Sequence, residues 1–405
     1  MATYHANVAN NRAIASESMD DTIWADSQAL GGQLQLLRER LFPPTAEKSL
    51  RKFSSPEVAK LIGVTESYIR HLATQEVSIA AEKTSGGRRL YSLGQVNELR
   101  AVLAKSRPGY IPHRKDQEHL QVIAVTNFKG GSGKTTSSAH LAQYLALKGF
   151  RVLAVDLDPQ ASMSALFGYQ PEFDVGENQT LYGAIRYDNP KPLSEIVRRT
   201  YFDGLDLVPG NLELHEFEHD TPRVLANKES VDSLFFMRVA QSLESVADNY
   251  DVVVVDCPPQ LGFLTMSALC AATSLLITVH PQMLDVASMN QFLAMTSNLL
   301  SVVKNAGGNL EYDWMRYLMT RYEPHDAPQA QIVAFLRNLF GERVLTSMML
   351  KSTAVSDAGL SKQTIYEAGK ESMHRQTYER AVESMDAVNS EIEKLILRAW
   401  GRGSE

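Results

Sequence analysis

Residues 129–136 read KGGSGKTT, which places Lys129 and Lys134 around Gly130, Gly131, Ser132 and Gly133, with Thr135 and Thr136 directly after. Glycines at this density let a backbone turn tightly and aim its N–H groups at phosphate oxygens, and a helix starting near Lys134 adds its positive end. In such a cradle Lys134 binds the outer phosphates of a nucleotide and Thr135 holds Mg2+ through its hydroxyl. The common spacing G-x-x-x-x-G-K-[ST] needs glycine at 128, where this chain has Phe128. It has an additional lysine, Lys129, instead.

Two further motifs supply carboxylates. DLDPQ, residues 156–160, ends a strand-like run with Asp156 and Asp158, and VVVVDCPP, residues 252–259, ends another with Asp256. One of the first pair is placed to orient or deprotonate an attacking water, a role worth ~10²- to 10⁴-fold in rate. Asp256 is placed to reach Mg2+ through its waters. A single acid at a strand end is commonly a helix cap; three of them with the loop point to nucleotide hydrolysis.

The elements that must hold these groups follow from hydrophobic patterning. From residue 121, apolar runs (QVIAVTN, RVLAVD, LDLVPG, DVVVVD, SLLITVHP, MRYLMT and RVLTSMML) alternate with helical patterns. That alternation predicts an α/β, doubly wound, mostly parallel sheet covered on both faces, with the ligand beyond the carboxyl ends of its strands. The chain divides into 1–45, an extension in which Leu30, Leu34, Leu37 and Leu41 form a stripe suited to packing or to a dimer contact; 46–105, short helices and a hairpin; 106–120, a connector; and 121–405, the α/β domain.

Charge separates the same segments. The net charge is -7, yet residues 46–116 carry 13 Lys and Arg against 7 Asp and Glu. A basic block beside an acidic remainder points to nucleic acid at that end. Two cysteines exclude a disulfide framework, and Cys257 reads as a small core residue. No window has the ~18 uninterrupted apolar residues of a membrane span, and the polar start has no secretory pattern, so a cytoplasmic address is expected.

Within the basic block, Ser54 or Ser55 as cap, Pro56, and Glu57 in a capping box with Ser54 signal a helix start, Gly63 its end, and Thr65 a second helix. This helix-turn-helix would present Ser67, Tyr68, Arg70 and His71 to a major groove. TSGGRRLYS then reads as a Gly-turned hairpin carrying Arg88 and Arg89, followed by a helix capped by Ser92 and Gln95. The arrangement resembles the winged helix-turn-helix of MerR-type regulators, whose wing touches the phosphate backbone.

KGGSGKTT, DLDPQ and VVVVDCPP together resemble the deviant Walker A ATPases of the ParA type, which segregate plasmids and chromosomes, over residues 121 to about 400. The N-terminal extension and LMTRYEPHDAPQ look like larger plasmid-borne members, including RepA proteins of replication and partition operons. The resemblance implies a homodimer in which two subunits sandwich two ATP molecules. Lys134 would act in its own subunit and Lys129 on the partner's phosphates, as an arginine finger does for ~10³- to 10⁵-fold, or ~4 to 7 kcal/mol of barrier. It further implies that Asp158 governs hydrolysis, that Asp156 and Asp256 lie on the metal side, that Thr320 and Arg321 lie beside the base, and that a ParB/RepB-type centromere-binding protein is the partner. Larger members also repress their own operon, and the ATP dimer binds nucleoid DNA without sequence preference. For that surface Lys351 matches a basic position, while Ala354 stands where arginine is common.

Neighbouring families fit less well. The spacing of Cys257 and Cys270 does not suit a cluster shared between two subunits, as in nitrogenase-type reductases. The final helix has an apolar stripe (Ile392, Leu395, Ile396, Trp400) and a polar face of mixed sign, which predicts core packing rather than the basic membrane tail of a division-site ATPase. A repressor in which nucleotide only sets conformation is the remaining alternative.

Overall fold

The computed structural model describes residues 18–41, 48–75, 81–227, 234–308, 310–369 and 373–403. Residues 1–48 and 49–405 form separate compact units. In the first, α1 (Met19–Leu41) begins with Asp20 and Asp21, acids that complement the positive end of a helix. Leu30 of the expected stripe is exposed; the side chains of Leu34, Leu37 and Leu41 lie outside the described residues, as do residues 1–17 and 42–47.

The second unit opens with the predicted helix pair. Strand β1 (Phe53–Ser54) leads into α2 (Ser55–Ile62), and Glu57 reaches back to accept hydrogen bonds from both the N–H and the hydroxyl of Ser54 at 2.9 and 2.7 Å. Gly63 ends α2 at φ 82, the left-handed conformation that glycine adopts without a Cβ clash. Helix α3 (Glu66–Gln75) follows, with the Tyr68 N–H donating to Thr65 Oγ1. β2 (Glu82–Lys83) and β3 (Arg89–Tyr91) form the hairpin, β3 also pairs antiparallel with β1, and α4 (Leu93–Ala104) starts at a Ser92–Gln95 capping box. Val58, Ile62, Ile69, Tyr91, Val96 and Leu99 fill the core between them.

Among the described residues of the α/β part, seven strands form one sheet: β4 (Gln121–Thr126), β5 (Val152–Asp156), β6 (Arg198–Arg199), β7 (Leu205–Val208), β8 (Val252–Asp256), β9 (Ser274–Val279) and β10 (Trp314–Met319), in the order β10-β9-β4-β8-β5-β7-β6. All neighbours are parallel except β6 with β7. The loop-bearing strand β4 therefore lies inside the sheet, buried along its whole length. Helix α5 (Lys134–Lys148) packs on one face, together with the helix Arg375–Ala399 and the winged module; Leu181, Phe217, Leu264 and Leu269 belong to the core on the other. Cys257 is fully buried, as expected.

Two expectations need correction. RVLTSMML is not a strand: beside β10 it makes only the isolated bridges Tyr317–Val344 and Tyr322–Leu350. The Leu345 and Met349 N–H groups donate to Tyr317 O and Met319 O of β10 at 3.0 and 2.9 Å, and three others are taken by side chains. Glu391 accepts from Thr346 and Ser347, and Ser384 from Leu350, each at 2.8 Å. Conversely, β6 is a short antiparallel edge that no apolar run announced, because its two residues are arginines.

The winged module and the α/β part share one core, and Arg100 of α4 is bonded into both. Its guanidinium, 3% exposed, donates to Leu61 O at 3.1 Å and to Leu147 O, in the last turn of α5, at 2.6 Å. A helix leaves its last carbonyls without intrahelical donors, and a buried arginine satisfies one here.

Candidate functional site

The loop between β4 and α5 is held by polar groups that converge on it. Asn127 donates through its amide to Thr278 O, and its Oδ1 accepts from the Lys129 N–H at 2.9 Å. Ser132 is buried; its carbonyl accepts from Thr320 Oγ1 at 2.7 Å and its hydroxyl lies 3.1 Å from that of Thr278. Gly131 and Gly133 have φ of 76 and 84, and a Cβ on Gly133 would lie 3.4 Å from Thr320 Cβ. The left-handed backbone conformation favours glycine at both positions, while a Cβ at 133 would meet Thr320 at ordinary contact distance.

Lys134 and Lys129 occupy different environments. Lys134, 6% exposed, folds back so that Nζ donates to Lys129 O at 3.1 Å. Burial lowers its pKa below the ordinary lysine range, while Asp256 and Asp158 act in the opposite sense. The side chain of Lys129 is 42% exposed and lies at the rim. Thr135 and Thr136 stand in the first turn of α5, half-buried.

Asp156 and Asp256 come together where β5 and β8 end, directly opposite in the strand register. Both are fully buried. Asp156 Oδ2 accepts from Ser164 N at 2.8 Å and Ser164 Oγ at 2.7 Å. Asp256 Oδ1 accepts from Ser138 Oγ at 3.0 Å, and its Oδ2 is buried with no hydrogen-bond partner among the described residues. Burial pushes both carboxyls upward, and the charge of Asp256 raises Asp156 further; the nearby hydroxyls of Thr135 and Ser138 work against the rise at Asp256. Two buried acids, one with an orphaned oxygen, make a place where a divalent cation relieves electrostatic strain. No group of three or more His, Cys, Asp or Glu among the described residues could hold a metal alone. Thr135 and ligand phosphates would have to supply further oxygens.

Asp158 is half-buried and accepts from the Gln160 N–H at 2.9 Å, which leaves its carboxylate at the cradle's edge. Thr320 and Arg321, expected beside a base, contact the loop itself: Arg321, at φ 52, donates from Nη1 to Gly131 O at 3.2 Å. Sequence reading missed Ser164, Asn127 and Thr278, because lone hydroxyl and amide residues carry no spacing signal. It also missed Asp285, whose carboxylate meets Lys129.

On the winged module, Ser67, Tyr68, Arg70 and His71 are all exposed, whereas the intervening Ile69 and the following Leu72 are buried. Arg70 donates to Glu66 one turn back at 2.5 Å, and Arg89 of the hairpin donates to Arg70 O at 3.1 Å. Arg88 is exposed at the hairpin tip, and a cleft of about 630 Å³ opens between Ser54, Arg70 and Gly86–Arg89. Lys351 is exposed but paired with Glu323 at 2.9 Å. Ala354 is 1% exposed and part of the core. Ile392, Leu395, Ile396 and Trp400 are buried, which places the last helix in the core, and no helix among the described residues is long and apolar enough to cross a membrane.

Comparison with known proteins agrees with this geometry. Residues 120–306 match an AAA domain family, and residues 53–104 match the MerR HTH family of regulatory proteins. The chain is 58% identical over 380 residues to a Rhizobium rhizogenes protein provisionally named replication protein A, covering 93% of this chain and 94% of that one. It is 31% identical over 335 residues to SopA of Escherichia coli K12, covering 80% and 82%. A solved structure described as a partition protein superposes with a TM-score of 0.59 at 16% identity, covering 92% of this chain and 98% of that one, a likeness of fold. Cobyrinic acid a,c-diamide synthase from Mycobacterium smegmatis, solved with ADP and magnesium, matches at 25% identity and a TM-score of 0.50, covering 60% and 91%.

Proposed function

The chain belongs to the ParA-type partition ATPases with an N-terminal helix-turn-helix domain, and from that premise we propose that it hydrolyses ATP as a face-to-face homodimer to segregate a plasmid. The observation that carries this reading is the unequal placement of the two loop lysines. Lys134 is enclosed with the acids of its own site, as a group that binds its own subunit's phosphates must be, whereas Lys129 stands at the rim, where a second subunit has access.

In this reading Gly130–Gly133, Thr135 and Thr136 bind the phosphates of ATP, with Thr320 and Arg321 bracing the loop. Asp158, at the cradle's edge, orients the attacking water and governs hydrolysis. Thr135, Asp156 and Asp256 lie on the side that holds Mg2+, which supplies charge neutralisation at the phosphates when bound. Lys129 enters the partner's site, so a monomer binds nucleotide but hardly turns it over.

Residues 46–105 act as the operator-binding domain: Ser67, Tyr68, Arg70 and His71 read the major groove, and Arg88 and Arg89 grip the backbone. Through it the protein represses its own operon. The ATP dimer adds non-specific nucleoid DNA contact that includes Lys351, and a ParB/RepB-type centromere-binding protein stimulates turnover. Residues 106–120 connect this domain to the ATPase domain, 121–405, and 1–45 extend it with a helix available for dimer contact. A cytoplasmic, nucleoid-associated location goes with these roles.

ATP turnover measured alone, with DNA, and with DNA plus the centromere-binding partner tests the proposal. Stepwise stimulation is expected. Background turnover under every condition, with operator binding still responding to nucleotide, would establish a nucleotide-switched repressor instead.

A further inference from the structure

Lys129 is exposed at the rim, yet its ammonium is already engaged. Nζ lies 2.5 Å from Oδ1 of Asp285, in the first turn of the helix Met283–Asn305 that follows β9. An acid there complements the helix's positive end wherever it points. This one is turned inward, its side chain 6% exposed, against a lysine of the phosphate loop. Its Oδ2 has no hydrogen-bond partner among the described residues, and His280 Nδ1 lies 3.6 Å from it. Burial and the neighbouring Arg321 lower the pKa of that imidazole below its ordinary value, while Asp285 and Glu323 act in the opposite sense. Lys129 is thus the cation that balances a buried carboxylate, and removing it leaves that charge uncompensated.

We infer that Asp285 is a positioning residue that holds Lys129 on its own subunit and thereby sets how readily the ATP dimer forms. The inference rests on the cross-subunit role of Lys129 proposed above. To reach a partner's phosphates the ammonium must leave Asp285, and dimer formation therefore works against this pair. Two such pairs open per dimer, because each subunit gives up its own. The triphosphate, with more negative charge than the diphosphate, is the better competitor for the ammonium, so the pair sharpens discrimination between ATP and ADP in addition to delaying association.

The test is self-association of the full-length protein in a nonhydrolysable ATP analogue with Mg2+, read by sedimentation. Asp285→Asn keeps the side-chain volume and removes the charge; its association midpoint should fall roughly tenfold or more below that of wild type. Asp285→Glu, which retains a carboxylate, should stay close to wild type. In a Lys129→Gln background, Asp285→Asn should have no effect, a pattern that a merely structural role would not give. An unchanged or raised midpoint for a folded Asp285→Asn overturns the inference; should that variant melt early, Asp285→Ser read in the same way decides. Turnover separates the two claims: wild-type ATPase activity in Lys129→Gln overturns the cross-subunit role itself, whereas lost activity there with an unresponsive Asp285→Asn overturns only the inference about Asp285.

Discussion

Asp156 and Asp256 stand opposite one another on adjacent parallel strands, and neither carboxyl is exposed to water. Both are pushed upward by burial, with Asp256 raising Asp156 further. A carboxyl that binds its proton more tightly in the folded state than in the unfolded one withdraws stability as pH rises. The window opens near the ordinary carboxyl range of about 4 and extends upward.

Without nucleotide and Mg2+, the Tm should therefore fall by several degrees between about pH 5 and about pH 8. Asp256→Asn removes one charge of the pair and should flatten that slope, while ATP with Mg2+ should restore the wild-type Tm at the upper end. Thermal melts of both proteins across this range decide; equal slopes would show that the pair is not under strain.

Lys134→Ala should abolish nucleotide binding, with affinity lower by ~100-fold or more, because a charge-assisted contact to phosphate is lost from a buried site. Titration with a fluorescent ATP analogue measures it, and retained affinity would remove Lys134 from the cradle.

Asp158→Ala should bind ATP, form the dimer and stay on DNA, since the loss falls on hydrolysis. Gel filtration and DNA retention with ATP check this. A variant that remains monomeric in ATP would assign Asp158 to assembly instead.

Arg70→Ala should weaken operator binding by about 1–3 kcal/mol while leaving basal ATPase activity intact, and Arg88→Ala should reduce the salt dependence of binding by about one unit of slope. Equal loss of operator binding and turnover in Arg70→Ala would contradict the division between the two modules.

The parts of the site that sequence made legible are those whose chemistry needs a fixed spacing. The glycines around Lys134, the acids ending VLAVD and VVVVD, and the capped helices of the winged module all occupy the predicted elements. Contacts made across long sequence separations were not legible. Asp285 resembles any acid in a first helical turn, and only the pairing of β4 with β9 brings it beside Lys129. Arg100 lies in an otherwise unremarkable helix, and its buried bond to the end of α5 depends on how two modules pack. RVLTSMML has a strand's composition and keeps two bonds to β10, from the Leu345 and Met349 N–H groups, but the Ser347 N–H between them goes to Glu391 and no continuous ladder forms.

The central claim, that Lys129 acts on the partner's nucleotide, is tested most directly by mixing two inactive variants. Lys129→Ala keeps Asp158, and Asp158→Ala keeps Lys129. If the lysine works across the interface, a heterodimer contains one complete site, and an equal mixture should recover about a quarter of wild-type turnover, since half of the dimers are mixed and each has one active site of two. If Lys129 serves its own subunit, no complete site forms in any combination, and a mixture as inactive as its components would contradict the account.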